Sequence, residues 1–480
     1  MNPGFVTIDF SGIEAFFFQP ITAIVGDLFA IGLYLFLFWL LVYLAIELYL
    51  EYRSDKYTST WKWQVLAVDV PPMNLQTPKA VEQLFLHIAG ALNEPNIAAK
   101  FRGGYKQRWF SFEIISIEGY IQFVIRTESL YRDLLESAIY AQYPDAEITE
   151  IEDYVTDVPS VYPNDTHDIW ATDFGFSEDE TFPIRTHDEF EHGSAEEVIK
   201  DPMSAMLESF SRIGPGEQMW LQINLEPISN SWKESAIDKI NEITGDAKSA
   251  SKSNALEKIF SFILAFLEAL GDQLTGRNVE PTETKTEVPK LSPGQGKLIE
   301  RMEKKIAKIG MKSKIRAAYV AKKEFFRPER GVPALMGALN QFNIPTANSI
   351  IPVYGVSASY YKVEKRSAKR KNLLFDCYKK RKVKEKKLKG KSDPFILNVE
   401  ELATIWHFPM SHVKTPMVQK VAAKASEPPV GLPLEHIEAM PEMADIVLPT
   451  EDGEEIRIPS APPKEEKKDD AGFTSDMTFG

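Results

Sequence analysis

The sequence predicts an α+β protein on a membrane tether: a single N-terminal transmembrane helix, two ferredoxin-like α+β units, a basic helix and a disordered C-terminal tail. Three observations carry that expectation. Residues Leu28–Ile46 form an uncharged apolar run, residues 61–155 alternate in the order β-α-β-β-α-β, and from Ala425 onward prolines, acids and small residues accumulate.

The apolar run LFAIGLYLFLFWLLVYLAI has no charged residue. At about 1.5 Å rise per residue it crosses a hydrocarbon core of roughly 30 Å. It is apolar on every face, which a core helix of a soluble domain seldom is. The first base in the chain is Arg53, followed by Lys56 and Lys62, whereas Asp9, Glu14 and Asp27 precede or open the run. The positive-inside rule then puts the N-terminus outside and the rest of the chain on the cytoplasmic side. A cleaved signal peptide would need a basic leader and a shorter core. The preceding IEAFFFQPITAI reads as an interfacial or re-entrant helix broken at Pro20.

Residues 1–55 are thus the anchor, and residues 61–155 the first unit. Trp61–Val70 alternates as a strand, and Thr77–Leu92 carries Val81, Leu84, Phe85, Ile88 and Leu92 at helical spacing behind a Thr77-Pro78 start. Arg108–Ile117 and Tyr120–Arg126 are two strands joined at Glu118-Gly119, a hairpin signal. Ser129–Gln142 is a helix and Ala146–Asp153 the fourth strand. Residues 156–200 show no sustained period and several prolines, and read as an acidic loop or linker.

A second α+β unit spans residues 201–360. Its pieces are helices at Asp201–Ile213, Trp232–Thr244, Ser292–Ile309 and Pro328–Phe342, and strands at Glu217–Leu225 and Lys312–Lys322. A helical insertion, 245–288, contains Ser251–Leu270, apolar over more than half its girth; core packing and a membrane-surface helix are both open readings. Residues 361–424 hold a basic helix and the segment LNVEELATIWHFP, and residues 425–480 the tail.

The chain carries a formal charge of −14, unevenly spread. Its single cysteine, Cys377, excludes an internal disulfide and a thiolate zinc cluster within one chain. Gly390-Lys391-Ser392 has the end of a phosphate loop, but Glu385 stands where its first glycine belongs, and no G-x-G-x-x-G follows a strand. His187 and His192 flank three acids at a spacing that shares no helical face, so a solvated acidic loop is expected there rather than a metal site. No G-x-S-x-G elbow occurs. The reading is therefore of a non-enzyme without cofactor or metal.

The strongest local feature is the basic block Lys362–Lys391. Lys365, Arg366, Lys369, Arg370 and Lys371 form one cluster, and Lys379, Lys380, Arg381 and Lys382 begin another, with Leu374 and Tyr378 turned inward. Such a face can neutralise nucleic-acid phosphates or anionic lipid headgroups. It can equally be a solvated helix balancing the chain's own acids, or the seat of a partner protein.

Three stretches, WQVLAVDVPPMNLQTPKAVEQLFLHIAGAL (63–92), FSFEIISIEGYIQFVIRTESLYRDLLESAIYAQYPDAEITEIEDY (110–154) and LNVEELATIWHFP (397–409), resemble an uncharacterised bacterial family seen mostly in candidate-phylum bacteria. PIRTHDEFE (183–191) and DPMSAMLESFSRIGPGEQMWLQINLEP (201–227) fit the same pattern. In that family the module follows transmembrane segments and precedes a HerA/TraG-like ATPase domain. The resemblance implies work at a type IV secretion-like or conjugative DNA-transfer apparatus. After His407-Phe408-Pro409 the motor domain does not follow in this sequence, so no nucleotide-binding residue carries over. The expectation is an adaptor docking a separate HerA/TraG-like ATPase or other secretion subunits, compatible with homo-oligomers. A membrane-tethered nucleic-acid binder using residues 362–391 is the alternative.

Overall fold

The computed structural model describes residues 20–71, 75–190, 201–244, 292–388, 390, 392–410, 446–449 and 455–458. The interfacial segment expected before Pro20, the Ser251–Leu270 helix and His192 lie outside the described residues.

Helix α1, Ile21–Thr58, is one uninterrupted 38-residue helix. Its apolar stretch is exposed on all sides and is long and apolar enough to cross a membrane. Strand β1 (Trp63–Asp69) follows, then α2 (Pro78–Ala89), β2 (Phe110–Ile117), β3 (Tyr120–Glu128), α3 (Arg132–Gln142) and β4 (Glu147–Ile151). Pro78 opens α2 at a position whose N–H has no intrahelical partner, and Val81, Leu84, Phe85 and Ile88 make its buried stripe. Glu118 and Gly119 both take positive φ, as a two-residue hairpin turn that matches strand twist requires.

The next elements are β5 (His167–Phe176), α4 (Met203–Ser211), β6 (Glu217–Pro227), α5 (Trp232–Thr244), α6 (Pro293–Ala307), β7 (Gly310–Lys322), α7 (Pro328–Asn340) and β8 (Ile350–Gly355). Helix α8 (Val363–Lys380), β9 (Phe395–Asn398) and α9 (Val399–Ile405) complete the unit.

These nine strands form one sheet, ordered β4-β1-β3-β2-β6-β7-β5-β8, with β9 on β7 and every pair antiparallel. The order from β4 to β2 recurs, reversed, from β6 to β8, with the β2–β6 pair as the seam. One face carries α2, α3, α4, α7 and α9 over a core that includes Leu66, Phe112, Ile125, Leu221 and Trp406. The other face is covered by α8 and the turn at Tyr154–Asp157, over Val124, Trp220 and Val320.

Several expectations need correction. The stretch 156–200, expected to be an acidic loop, contains β5, an interior strand between β7 and β8. His167-Asp168 and Thr172-Asp173 mask its alternation, because each adjacent pair puts a polar residue on both faces of the strand. Strands β5 to β8 lie in the same sheet as β1 to β4. The region Pro183–Phe190 is no solvated loop: His187 is buried, its N–H donates to Thr404 Oγ1 at 2.9 Å, and the Ile184 N–H donates to Glu401 at 3.1 Å. The basic block is α-helical only over Val363–Lys380, with one further 3-10 turn at Lys386–Leu388.

Residues 423–480 form a separate unit. Within the tail, expected to lack order, Ile446–Pro449 and Glu455–Ile458 pair as antiparallel strands.

Candidate functional site

Period-2 alternation places polar residues of four neighbouring strands on the α8 face of the sheet. Glu113 of β2 pairs with Gln222 of β6, Gln222 with Arg316 of β7, and Arg316 with Asp173 of β5. Ser111, Asn224 and Lys314 form the row beside it. All seven are buried. Buried charge is costly unless paired, and here it is paired.

Arg381 completes the site from above. It ends α8 in the left-handed conformation, φ 52°, with its N–H on the Cys377 and Tyr378 carbonyls. An L residue in that conformation costs on the order of 1 kcal/mol, and the side chain's bonds offset it. Its Nε meets Glu113 Oε1 at 2.6 Å, and Nη1 and Nη2 meet Asp153 at 2.7 and 2.9 Å. Burial opposes the charge, but Glu113 and the other partners hold the guanidinium pKa well above its ordinary value. Tyr154 donates to Glu113 Oε2 at 2.8 Å and shares a 2.9 Å bond with Tyr378. Burial and Glu113 push the Tyr154 phenol pKa well up, so it remains a donor.

Farther along the row, Arg316 contacts Asp173 at 3.3 Å and donates to the Lys382 carbonyl at 2.9 Å. Ser392 donates to Asp173 Oδ2 at 2.9 Å, and the Lys314 ammonium donates to Ser392 Oγ and, at 3.1 Å, to the Phe174 carbonyl. Burial pushes the Lys314 ammonium down to about 8, against the pull of Asp173. Cys377 is buried, and its thiol is pushed up to about 12, which makes it a poor nucleophile.

The candidate basic residues separate accordingly. Arg381 is fully buried and closed to any partner, which corrects its assignment to an exposed face. Lys371 is tied to Asp168 at 2.6 Å, and Lys382 lies 4.0 Å from Asp55 of α1. Lys379 lies over the Phe375 ring, and Lys380 pairs with Asp376 at 2.9 Å. Lys365, Arg366 and Lys369 are exposed. Arg366, Lys369 and Arg370 join Lys387, Val353, Tyr354 and Leu373 around a groove of about 780 Å³ between α8 and the edge strand β8. Arg370 lies over the Tyr354 ring at 5.2 Å, with Tyr360 and Tyr361 exposed nearby in the chain.

His187, Asp188 and Glu400 bring ligand atoms within 4.8 Å of one another. The Lys304 and Lys308 ammonium groups already contact Glu400 at 2.9 and 2.8 Å, and Lys304 contacts Asp188 at 2.7 Å. These two fixed cations supply the charge that a divalent ion would bring. His407 is structural as well: Nε2 meets Asp201 at 2.9 Å and Nδ1 meets the Ala403 carbonyl at 2.7 Å.

Sequence reasoning missed Glu113, Gln222, Asp173, Lys314 and Arg316. The signal was there. In Lys312–Arg316 bases stand at every second position, and Ser111 and Glu113 alternate with Phe110, Phe112 and Ile114. Polar residues in phase across several strands mark a second buried face.

No curated protein matches the chain. One family model does match, over residues 70–421, which is more than half of the chain and leaves α1 outside. The chain belongs to that family, described as a domain of unknown function (DUF8128).

Proposed function

We propose that the chain is a non-enzymatic, membrane-anchored docking platform whose α8–β8 groove receives an anionic partner. Helix α1 spans the membrane with its N-terminus outside, and the sheet sits on the cytoplasmic side as two ferredoxin-like units fused edge to edge. The recurring strand order across the β2–β6 seam supports that pairing. The observation carrying the reading is the division of the basic block. Its interior cations are neutralised by Glu113, Asp153 and Asp168, while Arg366, Lys369 and Arg370, with Lys387 held 3.2 Å from Asp376, line a groove open to solvent.

The sequence resemblance suggests the partner: a separate HerA/TraG-like ATPase of a type IV secretion-like or conjugative apparatus. The full chain, captured in mild detergent from its own membranes, should bring such an ATPase with it, and Arg366→Glu/Lys369→Glu should lose it. A clean capture with no such ATPase counts against the reading.

A second reading, nucleic-acid binding at the same groove, is favoured by the Arg370–Tyr354 stack and the exposed Tyr360 and Tyr361. Four cations on single-stranded DNA give a slope of log affinity against log salt of about −3. DNA affinity unchanged by neutralising Arg366, Lys369 and Arg370 would sink it.

A further inference from the structure

The loop between α2 and β2 runs NIAAKFRGG over residues 96–104. Asn96 Oδ1 accepts the Ala99 N–H at 2.8 Å and starts a single π-helical turn, Ala99–Gly103. Gly104 follows with φ +68°, against the Arg53 carbonyl of α1; a Cβ there would collide with that carbonyl. Tyr105 packs on Tyr57 of α1 at 5.7 Å, and the Arg108 guanidinium lies over Tyr57 and Trp61 at 5.8 and 5.2 Å. The loop is thereby pinned to the last turns of α1.

Its own apolar side chains are nevertheless left in solvent. Ile97 is 75% exposed and Phe101 41%, with Lys100, Arg102 and, on α1, Lys56 also exposed. The acids Glu94 and Asp55 are exposed nearby, and Asp55 faces Lys382. Arg53 lies seven residues beyond Ile46, the end of the uncharged run. At 1.5 Å per residue that is roughly 10 Å along the helix. The headgroup layer beyond the hydrocarbon is about 5–8 Å thick on each side. The loop is thus held within side-chain reach of the headgroups. Two exposed apolar residues among cations is the chemistry of an interfacial contact, in which the apolar side chains enter the headgroup layer and each Lys or Arg is drawn to an anionic leaflet.

We propose that the 96–103 loop is a second membrane contact, seating Ile97 and Phe101 among the headgroups of an anionic leaflet and pairing Lys100 and Arg102 with lipid phosphates. This rests on the reading of α1 as a membrane span. One helix alone leaves the sheet free to lean and roll; a second point of attachment beside it removes that freedom and fixes which way the α8–β8 groove faces.

The test uses the full chain in phosphatidylcholine vesicles with and without phosphatidylglycerol. Phe101→Cys, Leu40→Cys and Tyr360→Cys are each labelled with an environment-sensitive fluorophore; native Cys377 is buried and does not compete. With phosphatidylglycerol, the probe at 101 should shift to the blue and lose emission to lipids spin-labelled near the headgroup. The probe at 360 should do neither, and adding Lys100→Glu/Arg102→Glu should abolish both effects at 101. Quenching at 40 by deep spin labels without quenching at 101 overturns this proposal and leaves the anchor standing. No quenching at 40 overturns the anchor, and the proposal with it. Equal quenching at 101 without phosphatidylglycerol, or equal quenching at 360, overturns the anionic-loop contact.

Discussion

Arg381→Met removes the cation at the centre of the buried row while keeping much of its aliphatic volume. Glu113, 0% exposed, is then left as an anion with Ser111, Tyr154 and Gln222 as its remaining donors. The Asp153 side chain is 31% exposed and can rehydrate, so most of the cost falls on Glu113. Breaking a buried pair by removing one partner costs about 3–5 kcal/mol. Arg381→Met should cost that much in urea unfolding of the full chain in detergent, followed by near-ultraviolet circular dichroism. Trp220 lies 5.0 Å from Tyr154 and 5.4 Å from Tyr378, so the aromatic signal reports on this site. Adding Glu113→Gln removes the stranded charge, and the double variant should regain roughly half the loss, a coupling on the order of 2 kcal/mol. A cost below about 1 kcal/mol, or a double variant no more stable than Arg381→Met, would refute the idea that Arg381 neutralises Glu113.

Lys314, pushed down to about 8 by burial, sheds its proton in the folded state before the unfolded chain does at 10.5. Wild type should therefore gain on the order of 3 kcal/mol relative to Lys314→Met as pH rises from 8 to 10.5; a flat difference across that window contradicts the assignment. Burial works against the Asp201 anion, but the His407 contact and the Met410 and Met203 amides hold its carboxyl below the usual 3.8. Its contribution is present above that value and lost as pH falls through the lower folded pKa, so the gap between wild type and Asp201→Asn should close on acidification below about pH 4. Gly104→Ala forces a Cβ against the Arg53 carbonyl at positive φ and should cost at least about 1–2 kcal/mol. An unchanged thermal midpoint would show that the loop is not held to α1.

The first four strands and their two helices were legible because each obeys one period, such as the 3.6-residue stripe of Val81, Leu84, Phe85 and Ile88. Strand β5 was not legible. In HDIWATDFGF, Asp173 occupies a buried site whose partners, Lys314, Arg316 and Ser392, lie 140 or more residues away in sequence. Period-based reading scores such a residue as loop. The basic block failed in the opposite sense. Its composition was plain, but local sequence cannot distinguish exposed Lys369 from Arg381, whose carboxylate partners stand at 113 and 153. The groove beside β8 was hidden for a related reason: it exists only where α8 crosses an edge strand.

That division of charge bears on how the two halves of the sheet stay together. They share a single strand pair, β2–β6, and a sheet joined at one ladder can twist about it. Helix α8 crosses the seam and is fastened at its middle and at its C-terminal end: Lys371 to Asp168 on β5, and Arg381 to Glu113 on β2 and Asp153 after β4. The Arg316 bond to the Lys382 carbonyl ties the same helix end back to β7. Apolar packing alone would bind α8 without fixing its register, since ridges of Leu374, Phe375 and Tyr378 can slide by a turn at modest cost. Fixed charges cannot, because a one-turn slip takes Arg381 from Glu113 and strands that carboxylate in the interior at several kcal/mol. The buried cations therefore set the position of α8, and α8 sets where Arg366, Lys369 and Arg370 stand along β8. Loosening Arg381 should accordingly weaken partner capture at the groove even though Arg381 itself never reaches it.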